Sequence, residues 1–443
     1  MAHCAAILAR TRDDGATLDV LESVFPDKAE AALEWWRFLR RKFAKEAPAD
    51  TIKRLPDVLA GKVSLEKLQA WALEGERFAL EFVADRREKW RQVLADAFRM
   101  AGGDDMARAQ LEKEADLRSA SSAAEIRLAD FLAEKKLWEQ AAARYELAWK
   151  KDRRHALALY LQGWALSQGG RKDDGQKLMK TARWIPLADD AARYALAEGL
   201  EKRGFAAEAE SEYSLLVRSG QFDSWYISNA RRHLARSAIA RKDYLVAADH
   251  DERALLDCLR TGTGFARPGA YLVVPHIVHR ERARGLLAAR RFEEAREEIE
   301  RALAGLPAEV DVAIDLVPEL EKQEQKKEAE ELFNRLFLIH EKVCADYPKS
   351  AWAHNTLAWL GARCHRQLDK SLTHAQAAVE LAPTDMGYKD TLAEVCFQRG
   401  ETDKAVELMK SCTEASPKNS YYRKQLERFK AGDRTAEVPE QAD

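Results

Sequence analysis

The stretch FEEAREEIERALAGLP, residues 292–307, carries Ala295, Ile299 and Ala302 at intervals of four and three and closes on Pro307. That spacing puts the three side chains on one face of a helix, and a proline, with no N–H to donate, stops it. A second stretch, TDKAVELMKSCTEASP at 402–417, repeats the plan with Ala405, Met409, Cys412 and Pro417. Small residues on a core-facing stripe mean that another helix comes close at those points, with the larger residue between them filling the groove.

The small residue that opens this kind of helix recurs along the chain: Ala107, Ala141, Gly175, Ala209, Ala247, Ala295, Ala329, Ser371 and Ala405. The first four are 34 residues apart; later intervals of 38, 48, 34, 42 and 34 read as the same unit with insertions of 4, 14 and 8 residues. Each unit contains two helical faces. In residues 125–152, Leu128, Ala129 and Leu132 form the first, and Ala141, Tyr145 and Ala148 the second. A sustained period of two helical segments is the mark of a repeat array, and the predicted fold class is all-α.

On these residues the chain resembles the tetratricopeptide repeat (TPR) family over about 88–431, most closely at 354–385 and 388–409, which look like the closing repeats of many bacterial members. The resemblance implies a right-handed α-solenoid of about nine helix-turn-helix repeats. One unit departs from the pattern, with Pro318 inside its first helix and Val317 where a small residue is expected, so a kinked or shortened helix is predicted there.

Residues 1–87 lack the period but hold two amphipathic helical patterns, 27–47 and 64–82, with Asp27 and Ser64 as candidate N-caps. They read as a helical cap, which an array needs because its end repeat exposes an apolar face. Residues 419–432 read as a polar closing helix and 432–443 as a disordered tail. The stretch LRTGTGFARPGAYLVVPH, 259–276, is expected to leave the helical register as an inserted loop near the middle of the array.

Composition narrows the function. With 72 Lys plus Arg against 74 Asp plus Glu, the net charge of -2 offers no global field for nucleic acid or an anionic membrane. No apolar run approaches the roughly 20 residues of a membrane helix, and the N-terminus lacks a basic region ahead of a signal-like segment. The chain is therefore expected to be soluble and cytoplasmic, although Met1 could be an internal start of a longer protein. Its six cysteines form no Cys-x-x-Cys pair, so buried thiols are expected rather than a zinc ribbon. His276 and His279, three apart and near Glu281, are two candidate ligands without the rest of a shell. GTGFARPG lacks the Gly-Lys-Ser/Thr ending of a phosphate loop, and no Gly-x-Ser-x-Gly occurs. No catalytic residue, cofactor or metal is expected, and the chain is read as a non-enzyme.

The resemblance implies that the first helix of each pair lines a concave surface. Its inner positions here are Tyr160 and Trp164, Tyr194 and Glu198, Arg232 and Arg236, Arg280 and Arg284, then Asn355 and Trp359. The leading expectation is a protein-protein interaction scaffold that holds a peptide in this groove. Converging arginines beside aromatic faces favour an acidic or phosphorylated segment with an apolar anchor. The Lys and Asn clamp of the chaperone-binding branch is absent. The alternative is a regulatory or substrate-presenting module of a larger enzyme.

Overall fold

The computed structural model describes residue 7 and residues 14–80, 84–117, 121–220, 224–261, 270–416, 419–434 and 438. Among them every regular element is helical, and no helix is long and apolar enough to cross a membrane. The chain divides into two compact units, Met1–Asp189 and Asp190–Asp443.

The first unit opens with α1 (Asp14–Glu22), α2 (Ala29–Lys42), the single-turn helices α3 (Pro48–Ile52) and α4 (Leu55–Leu59), and α5 (Leu65–Leu80). Ser64 caps α5 as expected, its Oγ accepting from the Lys67 amide at 3.4 Å. Asp27 does not cap α2: it lies inside a 3-10 turn, and Lys28 stands at the N-cap without a side-chain bond. The helix starts one residue later, at Ala29, because Pro26 opens that tight turn first. Three helix pairs follow: α6 (Ala84–Met100) with α7 (Asp104–Ala115), α8 (Ser122–Glu134) with α9 (Trp138–Lys151), and α10 (Ala156–Gln168) with α11 (Lys172–Ala182). Trp90 of α6 enters an aromatic cluster with Trp35 and Phe38 of α2 and Phe78 of α5, at centroid distances of 5.1 to 6.0 Å. This cluster covers the outer face of the first pair with N-terminal residues.

The second unit holds six pairs: α12 (Asp190–Glu201) with α13 (Ala206–Ser219), α14 (Trp225–Ala240) with α15 (Tyr244–Thr261), α16 (Ala270–Ala288) with α17 (Phe292–Gly305), α18 (Asp311–Lys322) with α19 (Lys326–Asp346), α20 (Ala351–Arg363) with α21 (Leu368–Leu381), and α22 (Met386–Gln398) with α23 (Thr402–Ala415). A closing helix, α24 (Ser420–Ala431), packs on the last pair. The array is thus an α-solenoid of TPR-like helix pairs in each unit.

All nine small positions named from the sequence are buried. The closest approach is in α10 and α11, where a Cβ on Gly175 would lie 2.3 Å from the Gly163 carbonyl oxygen and one on Gly163 would lie 2.5 Å from that of Gly175. The two helices touch backbone to backbone.

The turn inside each pair is also periodic. A residue in the left-handed region stands five positions before the small residue in eight of the nine pairs: Gly102, Lys136, Gly170, Gly204, Lys242, Arg290, Glu324 and Gly400. It lets the next amide reach back five residues in Schellman fashion, as Leu137 N–H does to Leu132 O at 2.9 Å and Arg171 N–H to Leu166 O at 2.9 Å. A left-handed residue with a Cβ costs about 1 to 2 kcal/mol. Gly170→Ala, where an added Cβ meets nothing within 4 Å, is therefore expected to destabilise by about 1 kcal/mol. Lys136→Gly should gain a smaller amount, because glycine's extra freedom in the unfolded chain offsets part of the relief. Denaturation midpoints moving in the same direction for both variants would contradict this account of the turn.

Two further sequence expectations need correction. The segment 259–276 leaves the helical register less than predicted: α15 runs through Thr261 and α16 starts at Ala270, with Pro275 inside it, while 262–269 fall outside the described residues. Pro318 does not interrupt α18, which is continuous over 12 residues and buries Val317 in a core cluster with Leu316, Phe333 and Leu336. Pro307 and Pro383 follow helix ends, whereas Pro417 and most of the expected tail lie outside the described residues.

Candidate functional site

In the second unit, α14 carries Trp225, Asn229, Arg232 and Arg236 at helical intervals of four, three and four, so they share one face. Three of them, with His233, form one wall of a cleft of about 450 Å³. Asp251 and Ala254 of α15 and Val274 and Ile277 of α16 complete the lining. One side is guanidinium-bearing, and the other is largely aliphatic.

His233 holds this wall in place. Its Nδ1 lies 2.7 Å from Glu201 Oε2 on α12 and 2.8 Å from Nη2 of Arg236, and its Nε2 is 3.0 Å from the Tyr194 hydroxyl. The Tyr213 ring stacks on it at 4.4 Å, and the Tyr213 hydroxyl donates to Glu201 Oε2 at 3.0 Å. Burial lowers the pKa of His233 despite the opposing pull of Glu201, and burial, then Glu201, raises that of Tyr213. A neutral imidazole fits the role of a spacer between Glu201 and Arg236. Burial also pushes the Asp251 carboxyl up to about 6 against the pull of Arg232.

Beyond the cleft, Trp225 is 54 % exposed, 5.3 Å from Tyr226 and 5.9 Å from Tyr194 by ring centroids. An exposed indole flanked by two tyrosines is an apolar platform one turn from Asn229.

The other inner positions behave differently. Tyr160, predicted exposed, is buried at 6 %, because α10 is apolar on nearly every side and α11 closes on it through the two glycines. Trp164 is half-buried with its ring against Trp138 at 5.4 Å. Both belong to the first unit, and the remaining eight to the second. Glu198 pairs with Lys202 at 3.2 Å.

Arg280 and Arg284 do not join Arg232 and Arg236 on the cleft wall. Arg280, 16 % exposed, contacts Glu281, Asp311 and Asp315 at 3.2 to 3.4 Å. Arg284 donates to the Tyr244 hydroxyl at 2.8 Å, lies 4.0 Å above the Tyr244 ring centroid, and approaches Glu281 and Asp315. Both pair with carboxylates of the same unit, and of the four arginines only Arg232 and Arg236 line the cleft, so the convergence expected from sequence reduces to two. Asn355 and Trp359 are half-buried, and Trp359 packs on the core with the Arg363 guanidinium 5.3 Å from its centroid.

His276 and His279 point to separate partners. His276 is buried with Nδ1 3.3 Å from Ala302 O, and His279 Nδ1 meets Glu298 at 2.7 Å. A further cleft of about 380 Å³ between α17 and α19 is crossed by ion pairs such as Arg296 with Glu328 and Arg335 with Glu300, each at 2.9 Å.

Sequence reasoning missed His233, Glu201, Asp251 and Trp225. The run WYISNARRHLAR, 225–236, did signal His233 and Trp225, with aromatic and basic residues one and two turns apart, whereas Glu201 and Asp251 come from neighbouring helices. Counting only the positions around Ala235 passed over it.

No family model matches the chain, and no curated protein matches it. Solved structures similar to it include a thermophilic TPR protein of Thermus thermophilus, 17% identical, with a TM-score of 0.30, covering 46% of this chain and 98% of that one. Yeast Tom70 is 13% identical with a TM-score of 0.25, over 79% of this chain and 89% of its own. The P58(IPK) TPR domain is 12% identical with a TM-score of 0.21, over 70% and 98%.

Proposed function

We propose that this TPR-like chain is a non-enzymatic scaffold whose second unit binds an acidic or phosphorylated segment of a partner protein in the cleft of Arg232 and Arg236. The observation that carries the reading is the pairing of two guanidiniums, one turn apart, with an aliphatic wall and a neighbouring exposed indole. Guanidinium forks suit carboxylate and phosphate oxygens. The Trp225 platform and the Val274 and Ile277 wall suit a leucine or phenylalanine of the same segment. Residues 88–431 then form the array, 1–87 its cap and 432–443 a tail.

Selection of a peptide display library against the full chain tests this. Enriched sequences are expected to combine two or more acidic residues with a large apolar one, and their affinity should fall as salt screens the exposed charges. Trp225→Ala should weaken them by about 1 to 2 kcal/mol, as loss of an interface aromatic does. Enrichment of basic or uncharged peptides, with no effect of salt, would remove the arginine cleft from consideration.

A further inference from the structure

We propose that Cys344, His354 and His374 form a three-ligand site for a thiolate- and imidazole-preferring divalent ion of the zinc class. Cys344 stands in the last turn of α19, His354 in the first turn of α20 and His374 in the second turn of α21. The helix pairing brings the sulfur and one ring nitrogen of each histidine within 4.8 Å of one another. Neither histidine has a metal motif around it in the chain, and the residues are 10 and 20 positions apart, which is why spacing alone predicted no site.

The hydrogen bonds argue that these groups are arranged as ligands. His354 Nε2 donates to Pro348 O at 3.1 Å, which fixes the tautomer and leaves the Nδ1 lone pair pointing to the cluster. Metal-binding histidines are oriented by just such a carbonyl on the far nitrogen. His374 Nδ1 lies 2.7 Å from His354 Nδ1, with the two rings stacked at 5.0 Å. Without metal, the Nδ1–H of His374 fills the space between them.

Metal binding replaces that proton. His374 shifts its proton from Nδ1 to Nε2, the Cys344 thiol loses one to solvent, and the ion gains one S–M and two N–M bonds, with a net release of one proton. Zinc–nitrogen bonds of about 2.0 to 2.1 Å need the two nitrogens to part by roughly half an ångström, within reach of small ring rotations. Cys344 is 4 % exposed, and its thiol is pushed up to about 11 by burial and by Glu341.

One thiolate with two imidazoles selects zinc, cobalt or copper over magnesium, calcium and manganese. Three protein ligands leave the fourth tetrahedral position to water or an external donor. Half-buried His374 lies near Glu341, which Lys370 holds at 2.6 Å.

The test uses the full chain, stripped with chelator and titrated with cobalt(II) under reducing conditions. One equivalent should give the visible bands of tetrahedral cobalt and a thiolate-to-cobalt charge-transfer band, and one equivalent of zinc should abolish both. Cys344→Ser should remove the charge-transfer band. His374→Gln, at a half-buried position that tolerates the amide, should weaken cobalt at least about tenfold with an unchanged helical signal. His276→Ala combined with His279→Ala should change nothing. A wild-type protein without the thiolate band, or a band that survives Cys344→Ser, would overturn the assignment.

Discussion

Arg428→Met is expected to destabilise the C-terminal end of the array by about 3 to 5 kcal/mol, the cost of leaving a buried charge without its partner. Arg428 on α24 forms a two-pronged pair with Glu394 on α22, Nη1 to Oε2 at 2.7 Å and Nη2 to Oε1 at 3.1 Å, and the two side chains are almost completely buried. Gln398 and Gln425 supply further bonds to the same carboxylate, and the guanidinium lies 5.0 Å from the Phe397 ring centroid and 5.5 Å from that of Phe429. A methionine keeps the packing but strands Glu394. Changing both residues, Glu394→Leu with Arg428→Met, should recover most of the loss, since a buried pair replaced by apolar groups is often neutral or better. Hydrogen exchange of the α22 and α24 amides reads the effect locally, as a repeat array can open from its end. A single variant that costs under about 1 kcal/mol, well below the usual cost of a stranded charge, would mean that α24 contributes little as a cap.

Gly175→Ala carries the second large effect, about 3 kcal/mol from the upper range of overpacking. Its new methyl would sit 2.3 Å from the Gly163 carbonyl oxygen and 2.1 Å from Ser167 Oγ. The hydroxyl can rotate away, but the carbonyl belongs to a helix backbone and cannot move without parting α10 from α11. Gly305→Ala, where an added Cβ meets nothing within 4 Å, is the matched control and should be neutral or slightly stabilising by helix propensity. Equal urea midpoints for the two variants would contradict the backbone contact.

The fold was legible because its geometry repeats. The small positions from Ala107 to Ala405 are set by helix-to-helix contact inside one unit of chain, so spacing alone reveals them. The left-handed turn residue was legible only where it is glycine; Lys136, Lys242, Arg290 and Glu324 adopt the same conformation without the residue type that announces it. The site was less legible, because exposure depends on neighbours from other repeats. Arg280 is matched by Asp311 and Asp315, 31 and 35 residues further on, which is about one repeat. Tyr160 is covered because α11 closes on its apolar helix through Gly163 and Gly175, a contact that counting positions around Gly163 does not show. His233 belongs to the site through Glu201, Tyr194 and Tyr213, all on the preceding helix pair.

The central claim is that Arg232 and Arg236, which line the cleft, and not Arg280 and Arg284, which are absent from its lining, hold the partner's charge. Its most direct measurement is a calorimetric titration of one selected acidic peptide into wild type and into Arg232→Glu combined with Arg236→Glu, after far-ultraviolet circular dichroism has shown equal helix content. Reversing two charges that pair with the ligand should cost at least about 2 kcal/mol, or roughly thirtyfold in Kd. An affinity within about twofold of wild type, a difference of only a few tenths of a kcal/mol, would place the binding surface elsewhere on the chain.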